Sequence, residues 1–299
     1  MKACYIVLVY NELEYTFKTF KSIKKQKQDI YPFDIICVDN NSKLEIADKL
    51  KSYCEQNDIR YIFHNENDGY AGGNNFAWNI VKSEGYDYVF IANNDIELLH
   101  ENISEEILKL LEKEEKVALI GTHLIDSNNV PISYSRLHNQ IMKMNKLNRL
   151  KSNDFKPIAT VVGCFFCIRV KYAPMELFDK SFFMYSEEQN LEYLLMTQGY
   201  GVGILNKQEY VVKHYGGFFD FNTAADWKIY LNIRNAILTS KRFNKKNQLK
   251  FILLYFMLVI KLFLKYRKVA VIKGFLNGLY YLNRDKNVIY ENAIKQFKK

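Results

Sequence analysis

Short apolar runs that alternate with helically spaced apolar residues set the fold class of this 299-residue chain. Residues 3–10 form a continuous apolar run, as in a strand buried on both faces of a parallel sheet. Leu13, Phe17, Phe20 and Ile23 follow at helical spacing. The strand pattern returns at 34–39, 59–63, 87–92 and 117–121. Helical patterns lie between, at Leu44, Ala47, Leu50 and Tyr53, near 74–83, and over 101–115. This order predicts an α/β fold, a mostly parallel sheet with helices on both faces. Such sheets bind ligands beyond the carboxyl ends of their strands. Polar clusters at 39–42, 67–75 and 93–95 fall at such ends.

The second half is less regular. Residues 126–156 are Asn- and Lys-rich with no clear period and read as a mobile connection. A strand is expected at 159–169. An aromatic strand at 182–185 leads into a helix to about residue 198, and short strands at 202–205 and 209–212 end near His214. From about residue 224 the pattern is helical. Five cysteines are odd in number and too few for a disulfide framework. Cys164 and Cys167 form a CxxC inside an apolar run, where buried thiols are expected rather than redox or zinc chemistry. A reducing, cytosolic setting follows. The chain opens on a strand-like run, so no secretory leader is expected. The longest apolar stretch, 251–260, is well short of the ~18–20 residues that cross a bilayer, so no transmembrane helix is predicted.

The net charge of +9 is unevenly placed. Residues 241–299 carry 15 Lys and Arg against Asp285 and Glu291, whereas the first 240 residues hold 27 basic and 31 acidic side chains. The tail also places Phe251, Leu254, Leu258 and Leu262 at helical spacing, then Val271, Phe275, Leu279 and Leu282. Apolar helices flanked by cations fit a membrane surface better than nucleic acid. A helical hairpin packed on the body or on a second subunit, as in a homodimer, is the alternative.

Several polar residues have chemistry suited to their positions. Asp39 follows Ile35-Ile36-Cys37-Val38. A carboxylate there accepts hydrogen bonds from a ribose or base, or caps the next helix, a task for which Ser42 is equally fit. The run from Asn67 to Asn75 is the densest in Gly and Asn. Its glycines permit close backbone approach and its amides read hydroxyls or a base; a plain Asn-Gly turn is the alternative. It fits neither GxGxxG nor GxxxxGK(S/T), so neither the dinucleotide fingerprint nor the P-loop is supported. Asp95, ending Asn93-Asn94-Asp95, can hold a hard divalent cation, and His214 can add an imidazole ligand or be structural. Glu187 and Glu188 repel each other, so partial burial can make one a general base; acidic decoration of a helix N-terminus is the alternative.

Taken in order, these pieces resemble the family 2 glycosyltransferases of the GT-A fold, in particular the bacterial branch containing rhamnosyltransferases and other cell-surface polysaccharide enzymes. The resemblance rests on Val9-Tyr10-Asn11, Val38-Asp39-Asn40-Asn41-Ser42, the run 67–75, Asn93-Asn94-Asp95 and Gly163-Cys164-Phe165-Phe166-Cys167-Ile168-Arg169. It continues with Phe178-Asp179, Phe183-Met184-Tyr185-Ser186-Glu187-Glu188, His214 and Arg234-Asn235, and spans roughly residues 3–240. It implies a Rossmann-like catalytic domain, 1–240, with a nucleotide-sugar half (1–125) and an acceptor half (155–240); the charge and apolar pattern add a basic amphipathic helical extension, 241–299. The implied reaction is inverting sugar transfer from a dTDP- or UDP-sugar to a glycan or glycolipid acceptor. Asp39, Asn41, Asn67, Gly69, Gly72, Gly73, Asn74, Asn94 and Asp95 would bind the donor. Gly163, Cys164 and Phe165 would wall the acceptor. Asp95 and His214 would hold Mg2+ or Mn2+, and Glu188, or its neighbour Glu187, would be the base. The family usually reads Glu-Asp-x-Asp-Leu where this chain has Glu187-Glu188-Gln189-Asn190-Leu191. The enzyme is expected in the cytoplasm, peripheral on the inner face of the cell membrane. The rivals are a non-catalytic membrane-bound scaffold and a sugar nucleotidyltransferase. The latter wants a Gly-rich basic loop after the first strand, where Asn11-Glu12-Leu13-Glu14 stands instead.

Overall fold

Pairing of the apolar runs places β1 (Ala3–Val9) between β2 (Phe33–Asn40) and β4 (Tyr88–Asn93), both parallel to it. The computed structural model describes residues 1–132, 148, 150, 152–158, 160–216 and 219–297. In the first half, α1 (Glu14–Lys24), α2 (Leu44–Gln56), β3 (Arg60–His64), α3 (Gly69–Ser83), β5 (Ile96–Leu98), α4 (Ile103–Lys113), β6 (Val117–Gly121) and β7 (His123–Asp126) complete the order. The second half holds β8 (Phe155–Pro157), β9 (Phe165–Arg169), α5 (Glu187–Thr197), β10 (Gly201–Leu205), β11 (Val211–His214) and the helices α6 (Asp226–Thr239), α7 (Lys245–Tyr266), α8 (Val269–Tyr281) and α9 (Lys286–Phe297).

The main sheet runs β3-β2-β1-β4-β9-β6-β10-β8, and a smaller one runs β5-β11-β7. The parallel half is the one with strict strand–helix alternation. β9 lies antiparallel between β4 and β6, and β8 antiparallel on β10, so the sheet is mixed. Alternate residues of the central strands enter opposite cores, as a period of two requires. Cys4, Ile6, Ile36 and Val38 face α3 and the later helices, while Tyr5, Val7, Cys37 and Phe90 face α1, α2 and α4.

Three sequence expectations are corrected. The aromatic stretch 182–185 is not a strand: a 3-10 turn, Lys180–Phe182, runs into a left-handed segment. The helix expected near 74–83 begins at Gly69, inside the Gly/Asn run. The strand expected from 159 starts at Phe165. Most of the connection expected at 126–156 lies outside the described residues, but Phe155–Pro157 within it is a strand. All five cysteines are buried and free, as the apolar setting of Cys164 and Cys167 suggested.

The tail is built onto the body. Phe251, Tyr255 and Val259 of α7 and Val271 and Phe275 of α8 join the core that holds α6. Gly274 and Gly278 bring α8 against α6: a Cβ on Gly278 would stand 2.8 Å from Ile237. Farther on, Tyr290 of α9 donates a 2.8 Å hydrogen bond to Asp68, just before α3. The opposite face of α7 leaves Leu249, Leu253, Phe256, Met257, Ile260 and Leu264 exposed at helical spacing. No helix among the described residues is long and apolar enough to cross a membrane.

Candidate active site

Parallel pairing aligns the carboxyl ends of β1, β2 and β4, with Val9 opposite Asp39 and Leu8 opposite Asn93. Two cavities open there. One, of about 770 Å³, is lined by residues including Tyr10, Glu12, Tyr15, Asn40, Asn67, Gly69 and Asn94. The other, of about 610 Å³, is lined by Gly163, Cys164, Tyr185, Glu187, Glu188 and His214 among others. Tyr70, Asn93, Asp95, Met184 and Lys228 line both. Asp95 therefore stands at the junction.

His214 Nε2 lies 3.3 Å from Asp95 Oδ1, an oxygen that is buried with no hydrogen-bond partner in the structure. Asn93 Oδ1 is buried and unpartnered as well. A side chain on Gly216 would run into the Asp95 carboxylate, so the approach to the pair is kept open. No group of three His, Cys, Asp or Glu among the described residues forms a complete metal site. A carboxylate and an imidazole with an orphaned oxygen nonetheless fit a divalent cation whose other ligands are phosphate oxygens and water.

α5 starts with Glu187 and Glu188. Burial lifts the Glu188 carboxyl to about 7, against the opposing pull of the Gly163 and Gln189 backbone amides. Burial first, and Glu188 second, hold Glu187 well above the usual carboxylate range. Gly163 makes room for the longer acid at 188: its Cβ would sit 3.2 Å from the Glu188 carboxyl carbon. Tyr70 donates a 2.7 Å hydrogen bond to the Gly163 carbonyl and fixes that turn. Asn190 faces elsewhere and accepts from Arg242 Nε at 2.9 Å. The missing acid at 190 thus lies off the cavity.

The remaining candidates separate by position. Asn67 and Gly69 line the larger cavity, where Asn67 Oδ1 accepts from Asn40 Nδ2 and from the Gly69 amide, both at 3.1 Å. Asn94 lines it too and donates to Thr16 at 2.9 Å. Gly72, Gly73 and Asn74 lie in the first turns of α3 and line neither cavity. Gly73 lets the helix approach Leu8 and Asn40, where its Cβ would meet side-chain atoms at 2.7 and 2.9 Å. Asp39 is fully buried; its Oδ1 accepts from the Ser42 amide and its Oδ2 from the Tyr61 hydroxyl, each at 2.8 Å. Asn41 is exposed in a left-handed conformation. Cys164 lines the smaller cavity, while Phe165 points into the core beside Tyr5 and Phe90. Tyr70 falls within the run 67–75 expected to shape the pocket, and Asn40, Asn93, Met184 and Tyr185 stood in the family motifs without a role of their own. Lys228 was passed over: it carries no local signal, because tertiary folding alone brings α6 to the cavity.

The parallel strand ends, the paired cavities and the Asp95 carboxylate at their junction define a GT-A-like α/β transferase. The chain belongs to glycosyl transferase family 2, whose model matches residues 4–174. It is similar to the low-salt glycan biosynthesis hexosyltransferase Agl10 of Haloferax volcanii, 25% identical over 221 residues that cover 72% of this chain and 69% of that protein. Among solved structures it resembles GalNAc-T7 with UDP, GalNAc and Mn2+, at TM-score 0.57 and 12% identity, covering 79% of this chain and 48% of that one. It also resembles a mannosyltransferase from Pyrobaculum calidifontis in complex with GDP-Man and Mn2+, at TM-score 0.55 and 12% identity, covering 98% and 73%. At such identity these likenesses establish the fold.

Proposed function

We propose that this chain is an inverting glycosyltransferase that moves a sugar from a nucleoside diphosphate sugar to a hydroxyl of a lipid-linked or cell-surface polysaccharide. The observation that carries this reading is the placement of Glu188. A carboxyl raised to about 7 shares a cavity with Asp95 and His214, and Asp95 stands where that cavity meets the one lined by Asn40, Asn67 and Gly69. The larger cavity takes the nucleotide and the smaller the acceptor. UDP or dTDP is the proposed nucleotide, and a hexosyl group, rhamnosyl among them, the proposed sugar. The relatives' complexes with UDP and GDP-Man support this class of donor. Asp39 is fully buried and lines neither cavity, so its contact with the nucleoside requires that corner to open.

As carboxylate, Glu188 accepts the proton of the acceptor hydroxyl. The acceptor oxygen bonds the anomeric carbon on the face opposite the diphosphate. The sugar–diphosphate C–O bond breaks, and its electron pair leaves with the nucleoside diphosphate. One displacement inverts the centre. Mg2+ or Mn2+ at Asp95 and His214 would supply Lewis-acid stabilisation of the departing diphosphate. Lys228, lining both cavities, adds a positive charge to the same region. The basic tail with its exposed apolar row on α7 supports attachment to the inner face of the cell membrane, where a lipid-linked acceptor is within reach.

A thermal-shift panel of UDP-, dTDP- and GDP-sugars, with and without Mn2+, tests the donor and metal assignment. One class should raise Tm only with Mn2+, and Asp95→Ala should remove that Mn2+ dependence. An unchanged Mn2+ response in Asp95→Ala would overturn the metal role.

A further inference from the structure

The segment that delivers Glu187 and Glu188 is held in a conformation its own residues disfavour. Phe183, Tyr185 and Ser186 have φ of 63°, 71° and 67°, left-handed values that are uncommon for residues with side chains and rarest for bulky ones. A run of this kind persists only where the surroundings over-determine it. Those surroundings come largely from two consecutive residues of α6. Asn235 Nδ2 donates to the carbonyls of Phe182, Met184 and Tyr185 at 2.9, 2.8 and 2.8 Å. Arg234 Nη2 donates to the Ser181 carbonyl at 2.9 Å and to Phe182 at 3.3 Å. Arg234 Nε donates to Asn235 Oδ1 at 2.8 Å, which fixes the amide's orientation.

Both side chains are buried, Arg234 at 1% and Asn235 at 0% exposure. Among the described residues Arg234 has no ion pair with a carboxylate; main-chain carbonyls take its charge instead. The segment also reaches the donor side. The Phe183 carbonyl accepts from the Ala71 amide at 3.0 Å and lies against Gly69. One clamp therefore holds both the start of α5 and the start of α3.

We propose that Arg234 and Asn235 are positioning residues that hold the 182–186 segment in its left-handed path and so aim Glu188 into the acceptor cavity. This deepens the reading of Glu188 as the base and rests on it. Neither residue lines either cavity, so their action is through the segment and not on substrate.

The test follows Glu188 itself. In protein carrying 13C-labelled glutamate carboxyls, Glu188→Gln identifies the resonance of residue 188, which is then titrated in the full-length wild type, in Asn235→Ala and in Arg234→Lys. Val259→Ala, a core substitution on α7, controls for general loosening. The Asn235 and Arg234 variants should move the Glu188 midpoint by about half a pH unit or more, while Val259→Ala leaves it in place despite a comparable drop in Tm. A folded Asn235→Ala with the wild-type midpoint would overturn the proposal. If Asn235→Ala does not fold, Arg234→Lys, which keeps the charge but not the planar fork that spans Ser181, Phe182 and Asn235, decides by the same criterion. A wild-type midpoint in the ordinary glutamate range would instead overturn the base assignment, so the two failures are distinguishable.

Discussion

At the scale of single residues, the site turns on how two adjacent acids divide their protons. Burial first, and the charge of Glu188 second, hold Glu187 well above the usual carboxylate range. Burial lifts Glu188 to about 7, so it ionises near neutrality. Below pH 7 it is protonated and cannot accept a proton, so kcat/KM should rise with pH up to about 7 and level above it. Glu188→Gln should lower turnover ~100- to 10,000-fold while nucleotide binding persists, and Glu187→Gln should leave most of it. Loss of turnover in Glu187→Gln alone would reassign the base. The same acids affect stability with a definite sign. The native state keeps protons that the unfolded chain gives up above the usual carboxylate range, so stability falls as pH rises from that range through about 7. Glu188→Gln should flatten that slope, read as a smaller difference between the Tm at pH 5 and at pH 8. The one-methylene difference from the family's usual Asp was legible in the sequence. What accommodates it was not: Gly163 supplies the room, and its partner is known only once the chain is folded.

At the scale of elements, the glycine run is divided between helix and cavity. Gly69 opens α3 at φ +72°, and a Cβ there would stand 2.5 Å from the Phe183 carbonyl. Gly69→Ala should therefore cost about 1–3 kcal/mol and lower Tm by several degrees; an unchanged Tm would show that the 69–183 contact can relax. The stretch Phe182-Phe183-Met184-Tyr185 reads as a strand because aromatic and apolar side chains suit one. Local propensity lost there to hydrogen bonds from Arg234 and Asn235, some 50 residues later in the chain. β1, β2 and β4 were legible because they are buried on both faces and so nearly uniformly apolar, while the edge strand β3 leaves Arg60 and Phe63 exposed. β5, β7 and β8, with three, four and three residues, are too short to show a period.

For the whole molecule, the question is how the basic tail serves the catalytic body. It packs on α6, the same helix that bonds the 182–186 segment, and reaches Asp68 through Tyr290, while its outer face stays apolar: Leu253 is 56% exposed and Phe256 47%. Leu253→Glu with Phe256→Glu should abolish co-sedimentation with anionic vesicles yet spare turnover of a soluble acceptor, and high salt should weaken the wild-type binding. Unchanged vesicle binding would remove α7 from the membrane contact, and loss of a dimer in sedimentation would assign the face to a second copy. The sequence by itself determined the α/β alternation, the strand ends at Asp39 and Asp95, the acids at 187 and 188 and the charge division near residue 241. These are local quantities, set by periodicity, composition and neighbour order. Only the tertiary structure decided that Asp95 joins two cavities, that Lys228 reaches both, that Asp39 is buried against Ser42 and Tyr61, and that α6 bonds the segment leading to the acids. Each of those depends on which distant segments are brought together, and burial, hydrogen bonding and proton affinity exist only once they meet.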